Sequence, residues 1–453
     1  MTENEAANWL VGKALTMLCQ NPNMGDMEKA VDKAELEIRR IALEQIVRQT
    51  VAPVLLECPV CHTRMNVVDY RRTRTVGTSF GKIAFTRGYG FCVECHDHFY
   101  PADVALGLHE RARSSPRIQE FCAVTALRSP AGDAEEDVYR LTGVALGAST
   151  IHREARRQGE RALKMLDADE ELTQSAEGIA ELAARAPRLA KHSTLVIEID
   201  AWHIRERDNW GKTKALVKAG KEIERWHWVY TGTVFRLDQR GTTESGRPVI
   251  AERGYVATRR GIESFQKQLY AEALQRGLLD AETVLILADG AVWIWNIADD
   301  RFNGAKQRVD LYHVEEHLWD LAKELHGQGT QDAREWVSPY IRWLKNRNDG
   351  ALDVINSLDQ LSKNMMFSEK QREAIAGELR YFTEHKDRMD YKAGKAAGQP
   401  VGSGAIESTC SKYQRRFKLT GQFWSLAGDE ALLALATLHH NGRWALLFPH
   451  DSR

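Results

Sequence analysis

Two cysteine pairs, Cys58 with Cys61 in "CPVC" and Cys92 with Cys95 in "CVEC", carry the plainest chemistry in the chain. This spacing lets two thiolates from one turn reach the same tetrahedral Zn²⁺, each at about 2.3 Å. Two such pairs fill all four positions, so the expected ion holds structure together and leaves no place for a reacting water. The segment between them, residues 62–91, exceeds a finger loop and fits a hairpin between two knuckles, a zinc ribbon. Basic side chains there (Arg64, Arg71, Arg72, Arg74, Lys82, Arg87) outnumber the acidic Asp69, Glu94 and Asp97 of the ribbon, a moderate indication of phosphate contact.

Carboxylates form the second group. "LVIEIDAWHI" alternates like a half-buried strand and delivers Asp200, with Glu198 on the same face by the two-residue period. "TVLILADGAVWIWN" begins with a nearly unbroken apolar run, as in a strand covered on both faces, and delivers Asp289 at its carboxyl end before Gly290. In "VGSGAIESTCSKYQRRFK", Ser403 is placed to cap a helix and Glu407 sits in its first turns; Lys412, Arg415, Arg416 and Lys418 follow. Singly, each Asp reads equally well as a helix cap, and Glu407 as a side chain favoured by the helix dipole. Jointly they suit a hard divalent cation, which takes oxygen ligands and keeps positions for water and phosphate. Two such ions about 4 Å apart can activate an attacking oxygen and stabilise a leaving one. The basic turns after Glu407 would then follow a nucleic-acid backbone. Trp424, in a basic surround, is the candidate for stacking on an unpaired base, whereas "WHWVY" and "VWIWN" read as core.

These groups need elements to hold them. Residues 26–50 read as one long amphipathic helix, residues 58–101 as hairpins, and residues 114–160 as three short helices. Ser115-Pro116 starts the first of the three; Asp133 with Glu136 has capping-box spacing, Gly143 stops the second, and Ser149 is set to cap the third. Helix, Gly-containing turn, helix is the helix-turn-helix pattern. It would offer Thr150, His152, Arg153, Arg156 and Arg157 to DNA, although a plain helical hairpin has the same caps. Strands resume near residue 193, a helix spans roughly 261–276, and beyond 314 the chain is almost wholly helical.

Of the side chains, 43% are apolar and 28% charged, as in ordinary globular proteins. No apolar run is long enough to span a membrane, and "MTENEAANWLVGKAL" does not read as a signal peptide. Seven cysteines, an odd number with paired spacing, point to metal use in a reducing compartment. The formal net charge of −1 carries no global sign of nucleic acid.

"LADGAVWIWN", "DLYHVEEHLW" and "VGSGAIEST" resemble the motifs of insertion-sequence DDE transposases of the ISKra type, which are similar to the wider Mutator-like group. The likeness extends to "CPVC…CVEC…FYPADVALGL" and "LTGVALGASTIHREARRQG"; it departs at Ala201, where relatives have Gly after the first Asp. The resemblance implies an α/β fold: an RNase H-like catalytic core with an all-helical insertion, preceded by an N-terminal helix, a zinc ribbon and a helix-turn-helix domain. It implies catalytic Asp200, Asp289 and Glu407 on Mg²⁺ (or Mn²⁺), Glu198 being the substitute for Asp200. Asp310 and His313 match an auxiliary Asp-x-x-His element near the active site. The expected division is 1–52 (N-terminal helical region), 53–107 (ribbon), 108–166 (helix-turn-helix), 167–192 (linker helix), 193–325 (core), 326–400 (helical insertion) and 401–453 (the helices carrying Glu407). The expected partners are double-stranded DNA, both transposon ends and target, and further copies of the chain as a homodimer or higher oligomer. The expected location is the cytoplasm, at the nucleoid. A catalytically silent DNA-binding regulator and an RNase H-like nuclease are the alternatives.

Overall fold

Alternating and helical hydrophobic patterns divide the chain into two kinds of layer. The computed structural model describes residues 3–51, 57–109, 112–188, 193–207, 211–221, 225–246 and 248–449. They fall into two units, Met1–Gly159 with Ala445–Arg453, and Glu160–Trp444.

The first unit opens with α1 (Glu3–Leu15) and α2 (Met24–Val51), followed by β1 (Asn66–Thr78), β2 (Gly81–Cys92) and β3 (Asp97–Phe99). The three strands form one antiparallel sheet. Val47 and Val51 of α2 bury against Val76, Ile83 and Phe85 of the hairpin. After α3 (Pro101–Ala105) come α4 (Pro116–Ala126), α5 (Ala131–Thr142) and α6 (Ala148–Leu172) around Ile118, Cys122, Ala134, Val144 and Ile151. Ser115 caps α4 as expected, accepting from the Ile118 N–H, and Gly143 ends α5 with φ 69. The next two caps differ from expectation. Helix α5 starts at Ala131, so Asp133 and Glu136 lie inside it, and Glu136 pairs instead with Arg140 one turn on. Helix α6 starts at Ala148, whose N–H is taken by the Glu135 carboxylate at 2.7 Å, leaving Ser149 within the first turn. Helix α6 is also continuous through residue 166, where a break was expected.

In the second unit, α7 (Ala176–Ala184) precedes β4 (Thr194–Arg205), α8 (Thr213–Lys218), β5 (Trp226–Arg236), β6 (Arg240–Thr242), β7 (Pro248–Ile250) and β8 (Arg253–Thr258). Then follow α9 (Ile262–Gln275), β9 (Thr283–Ala288), α10 (Val292–Arg301) and β10 (Lys306–Val309). The main sheet has the order β10-β9-β4-β5-β8: β4, β5 and β8 are antiparallel, and β9 and β10 run parallel to β4. Helices α11 (Leu311–His326), α12 (Gln331–Asn346), α13 (Gly350–Ser362), α14 (Glu369–His385) and α15 (Tyr391–Ala396) intervene before α16 (Gly404–Phe417) and α17 (Leu426–His440).

Strand β4 shows why the sheet is two-sided. Leu195, Ile197 and Ile199 join Phe265 and Leu269 of α9 on one face, while Val196 joins Leu285 of β9 and Ala405 of α16 on the other. Each such side chain, fully buried, contributes about 1.5–3 kcal/mol. The "WHWVY" tryptophans are not core. Trp226 and Trp228 are half-exposed at the start of β5, on one face by alternation, and Trp228 packs on His203 with ring centroids 3.6 Å apart. The "VWIWN" segment divides: Trp295 is buried, and Trp293 is partly so.

Candidate functional site

Pairing of β4 with β9 sets Glu198 opposite Leu287. Two residues further on, each strand reaches an aspartate, Asp200 and Asp289. Asp200 Oδ1 accepts from the Ala201 N–H at 2.6 Å, and Asp289 Oδ1 accepts from the Ala291 N–H at 3.0 Å. Gly290, with φ +107, makes the turn between Asp289 and α10. Burial raises the Asp200 carboxyl above its ordinary pKa and the Asp289 charge adds to this, while the Ala201 N–H, the Cys410 thiol and His313 pull it back. Asp200 therefore senses the charge of Asp289.

Helix α16 lies on the same face of β4. The Ile406 N–H donates to Glu198 Oε2 at 2.7 Å, and Cys410 Sγ lies 3.5 Å from Asp200 Oδ2. Glu407 stands between these contacts in sequence and is exposed. Glu198 is buried, and burial pushes its carboxyl up to about 8; it anchors the start of α16. The three carboxylates are not drawn into contact: among the described residues, only the four cysteines gather three or more ligand atoms within 4.8 Å of one another.

Asp310 is wholly buried and joins three segments. Its N–H donates to Ala288 O at 2.7 Å; its carboxylate caps α11 through the Tyr312 N–H at 2.5 Å and accepts from the Ser403 N–H at 2.6 Å. Ser403 is the N-cap residue of α16, but its hydroxyl makes no cap bond and donates to Asp310 instead. His313, in the first turn of α11, lies 3.1 Å from Glu316 and influences Asp200. Buried Arg308 fixes the approach to this corner through Asp390 (2.7 Å), Pro400 O (2.8 Å) and Gln399 (2.9 Å). Helix α14 adds Tyr381 and His385: a Cβ on Gly290 would lie 3.5 Å from the phenol oxygen and 3.6 Å from Nε2. Sequence reasoning did not find Arg308, Tyr381, His385 or Cys410; their partners lie far away along the chain, so local spacing carried no signal.

At the ribbon, the four sulfurs lie within 4.8 Å of one another, with Cys58 and Cys95 at 3.7 Å and Cys61 and Cys92 at 3.4 Å. The two knuckles share a backbone form, since His62 (φ 59) and His96 (φ 52), each directly after the second cysteine, are both left-handed. The donor set and its spread fit one tetrahedral Zn²⁺. Several of the hairpin's basic groups are otherwise engaged. Arg74 and Arg87 both pair with buried Asp103, and Arg72 with Asp69 and the Tyr100 hydroxyl. The side chain of Arg71 lies outside the described residues.

On α6, His152, Arg153 and Arg156 are exposed and Thr150 half-buried, opposite a buried face that includes Ile151 and Ala155; Arg157 turns back to Glu154 (2.9 Å) and His109 (2.5 Å). On α16, Lys412 and Arg415 are exposed, and Lys412 lies over Tyr255. Lys418 lies over Trp202, while burial lowers the Arg416 guanidinium to about 10. Trp424 is partly buried: its indole N–H donates to Phe417 O at 3.0 Å, and its ring meets Phe417 and Arg416. A cavity of about 910 Å³ opens beside His227, Trp228, Tyr230 and Leu426. The arginines in its wall are already neutralised, Arg259 by Glu206 and Arg260 by Asp167, Glu170 and Glu430.

The chain belongs to the UPF0236 family, an uncharacterised protein family whose pattern matches residues 20–445. It is similar to a "UPF0236 protein in vanSb 3'region" of Streptococcus gallolyticus, with 25% identity over 387 residues, covering 84% of this chain and 76% of the relative. No helix among the described residues is long and apolar enough to cross a membrane.

Proposed function

We propose that this chain is a DDE-type DNA transposase of the ISKra kind. On this reading it binds the ends of a mobile element and cuts and joins phosphodiester bonds at Asp200, Asp289 and Glu407. The observation that carries it is the β4–β9 register with α16 on the same face, which brings elements bearing all three carboxylates to one end of the sheet. The strand order β10-β9-β4-β5-β8, three antiparallel strands and then two parallel ones, supports an RNase H-like core.

The donor set is all oxygen and suits Mg²⁺ or Mn²⁺. The charge that Asp289 places beside Asp200 is what a divalent cation would offset. When bound, such ions supply activation of the attacking oxygen and stabilisation of the leaving one. The chain's own contribution is orientation: the Ala201 and Ala291 N–H groups fix one oxygen of each aspartate. Asp310 ties the start of α11 to the start of α16, the helix of Glu407. The zinc-held hairpin and the exposed face of α6 supply DNA contacts, and holding two ends together calls for a dimer or larger assembly.

Asp289→Asn is expected to abolish Mg²⁺-dependent cleavage of a duplex carrying the element's end while leaving its binding unchanged. Cleavage retained in that variant removes Asp289 from the site. Binding without cleavage by the wild type indicates a regulator, and cleavage without joined products indicates a nuclease.

A further inference from the structure

Helix α11 carries two histidines in its first two turns. His313 and His317 are four residues apart, on one helix face and separated by a rise of about 6 Å. The first influences Asp200 directly. The second is held from behind by α14: its Nδ1 lies 3.0 and 3.2 Å from the Glu378 oxygens, and its ring stacks on Tyr381 with centroids 3.8 Å apart at 16°. Tyr381 meets His385 at 4.9 Å, and both approach Gly290, the residue after Asp289. The stack is thus anchored at the strand end that carries a proposed metal ligand. Glu378 is mostly buried, while the His317 side chain keeps 39% of its surface exposed. The Glu378 bond raises the imidazole pKa, favouring its charged form. With Nδ1 given to Glu378, the remaining donor of the ring is Nε2–H.

We propose that His317 is a phosphate-contacting residue, donating from Nε2 to a nucleic-acid strand one position away from the phosphodiester held at Asp200 and Asp289. This rests on the transposase reading for the identity of the reacting bond. The contact positions the strand: a rigid imidazolium one helical turn beyond His313 fixes where the next phosphate lies. A purely structural His317–Glu378 pair would serve the fold equally well, and the test must separate the two roles.

The decisive measurement is the salt dependence of binding to a fluorescein-labelled duplex by the full-length zinc-loaded protein, with Ca²⁺ replacing Mg²⁺ to prevent cutting. Each phosphate contact adds about 0.9 to the slope of log affinity against log salt. His317→Gln is expected to lower that slope by about 0.9 and weaken binding roughly threefold to tenfold at low salt. An unchanged slope and affinity overturns the proposal. If His317→Gln melts early, pH decides: raising pH neutralises the imidazolium but not an arginine, so the wild-type slope is expected to fall by about 0.9 more than the slope of His317→Arg, and equal changes in the two proteins overturn the contact. Cleavage in Mg²⁺ is scored separately. A wild type that binds with a His317-dependent slope but never cuts removes the transposase chemistry and keeps the contact. An active wild type whose slope ignores His317 removes the contact alone.

Discussion

Asp429 is a carboxyl group kept where a charge is unwelcome. It is wholly buried on α17, with the Glu206 carboxylate beside it. Burial, with the negative charges of Glu206 and Glu430 beside it, pushes its pKa up to about 9. The fold therefore favours the neutral acid. Its contribution to stability is fully present below the unfolded pKa of about 4 and is lost as pH rises toward 9, by up to about 1.4 kcal/mol per pH unit. Asp429→Asn, which stays neutral, should flatten that decline, so thermal melts at about pH 5 and about pH 8 should differ less than in the wild type. An equal pH dependence in both proteins would show that the carboxyl is ionised in the fold. Nothing in "SLAGDEALL" announces this, because Glu206, Thr258 and Arg259, which make the surroundings of Asp429 and Glu430, come from two distant strand ends.

At the scale of elements, period and composition were readable where burial alone decides the structure. The alternation of β4 and the apolar run of β9 gave both strands, and with them Asp200 and Asp289, because a two-sided sheet leaves no other way to bury those residues. Caps were less legible. A serine hydroxyl or carboxylate near a helix start has several bonding options, and tertiary partners chose among them: Asp310 takes the Ser403 hydroxyl, and Glu135 takes the Ala148 N–H, so that α6 begins before Ser149, its expected cap. The charge of the ribbon hairpin was overcounted for the same reason, since Asp103 consumes two of its arginines. On helix α6, Arg153 and Arg156 stay exposed. Replacing both Arg153 and Arg156 with Ala should lower the salt slope of duplex binding by up to about 1.8, with the helix content by circular dichroism unchanged. A wild-type slope would show that this face does not meet phosphate.

For the whole molecule, the four-cysteine cluster belongs to one unit and the carboxylates to the other. Structural zinc contributes on the order of 10 kcal/mol to the fold that holds it. Stripping it with a chelator, or replacing Cys58 with Ser, should therefore lower one calorimetric transition and leave the transition of residues 160–444 in place. A single transition that shifts as a whole would show that the two units unfold together. The excursion from α11 to α15 has a different organisation. It departs at Leu311, whose N–H bonds to Val401 O at 2.9 Å, and Asp310 grips Ser403 beside it. Its exit and its return are thus fastened at one knot, like a bag tied at the neck. What hangs beyond the knot also reaches back to it, since Asp390 holds Arg308 of β10 and Tyr381 and His385 lie against Gly290, so shortening the excursion would loosen the strand ends it leaves from.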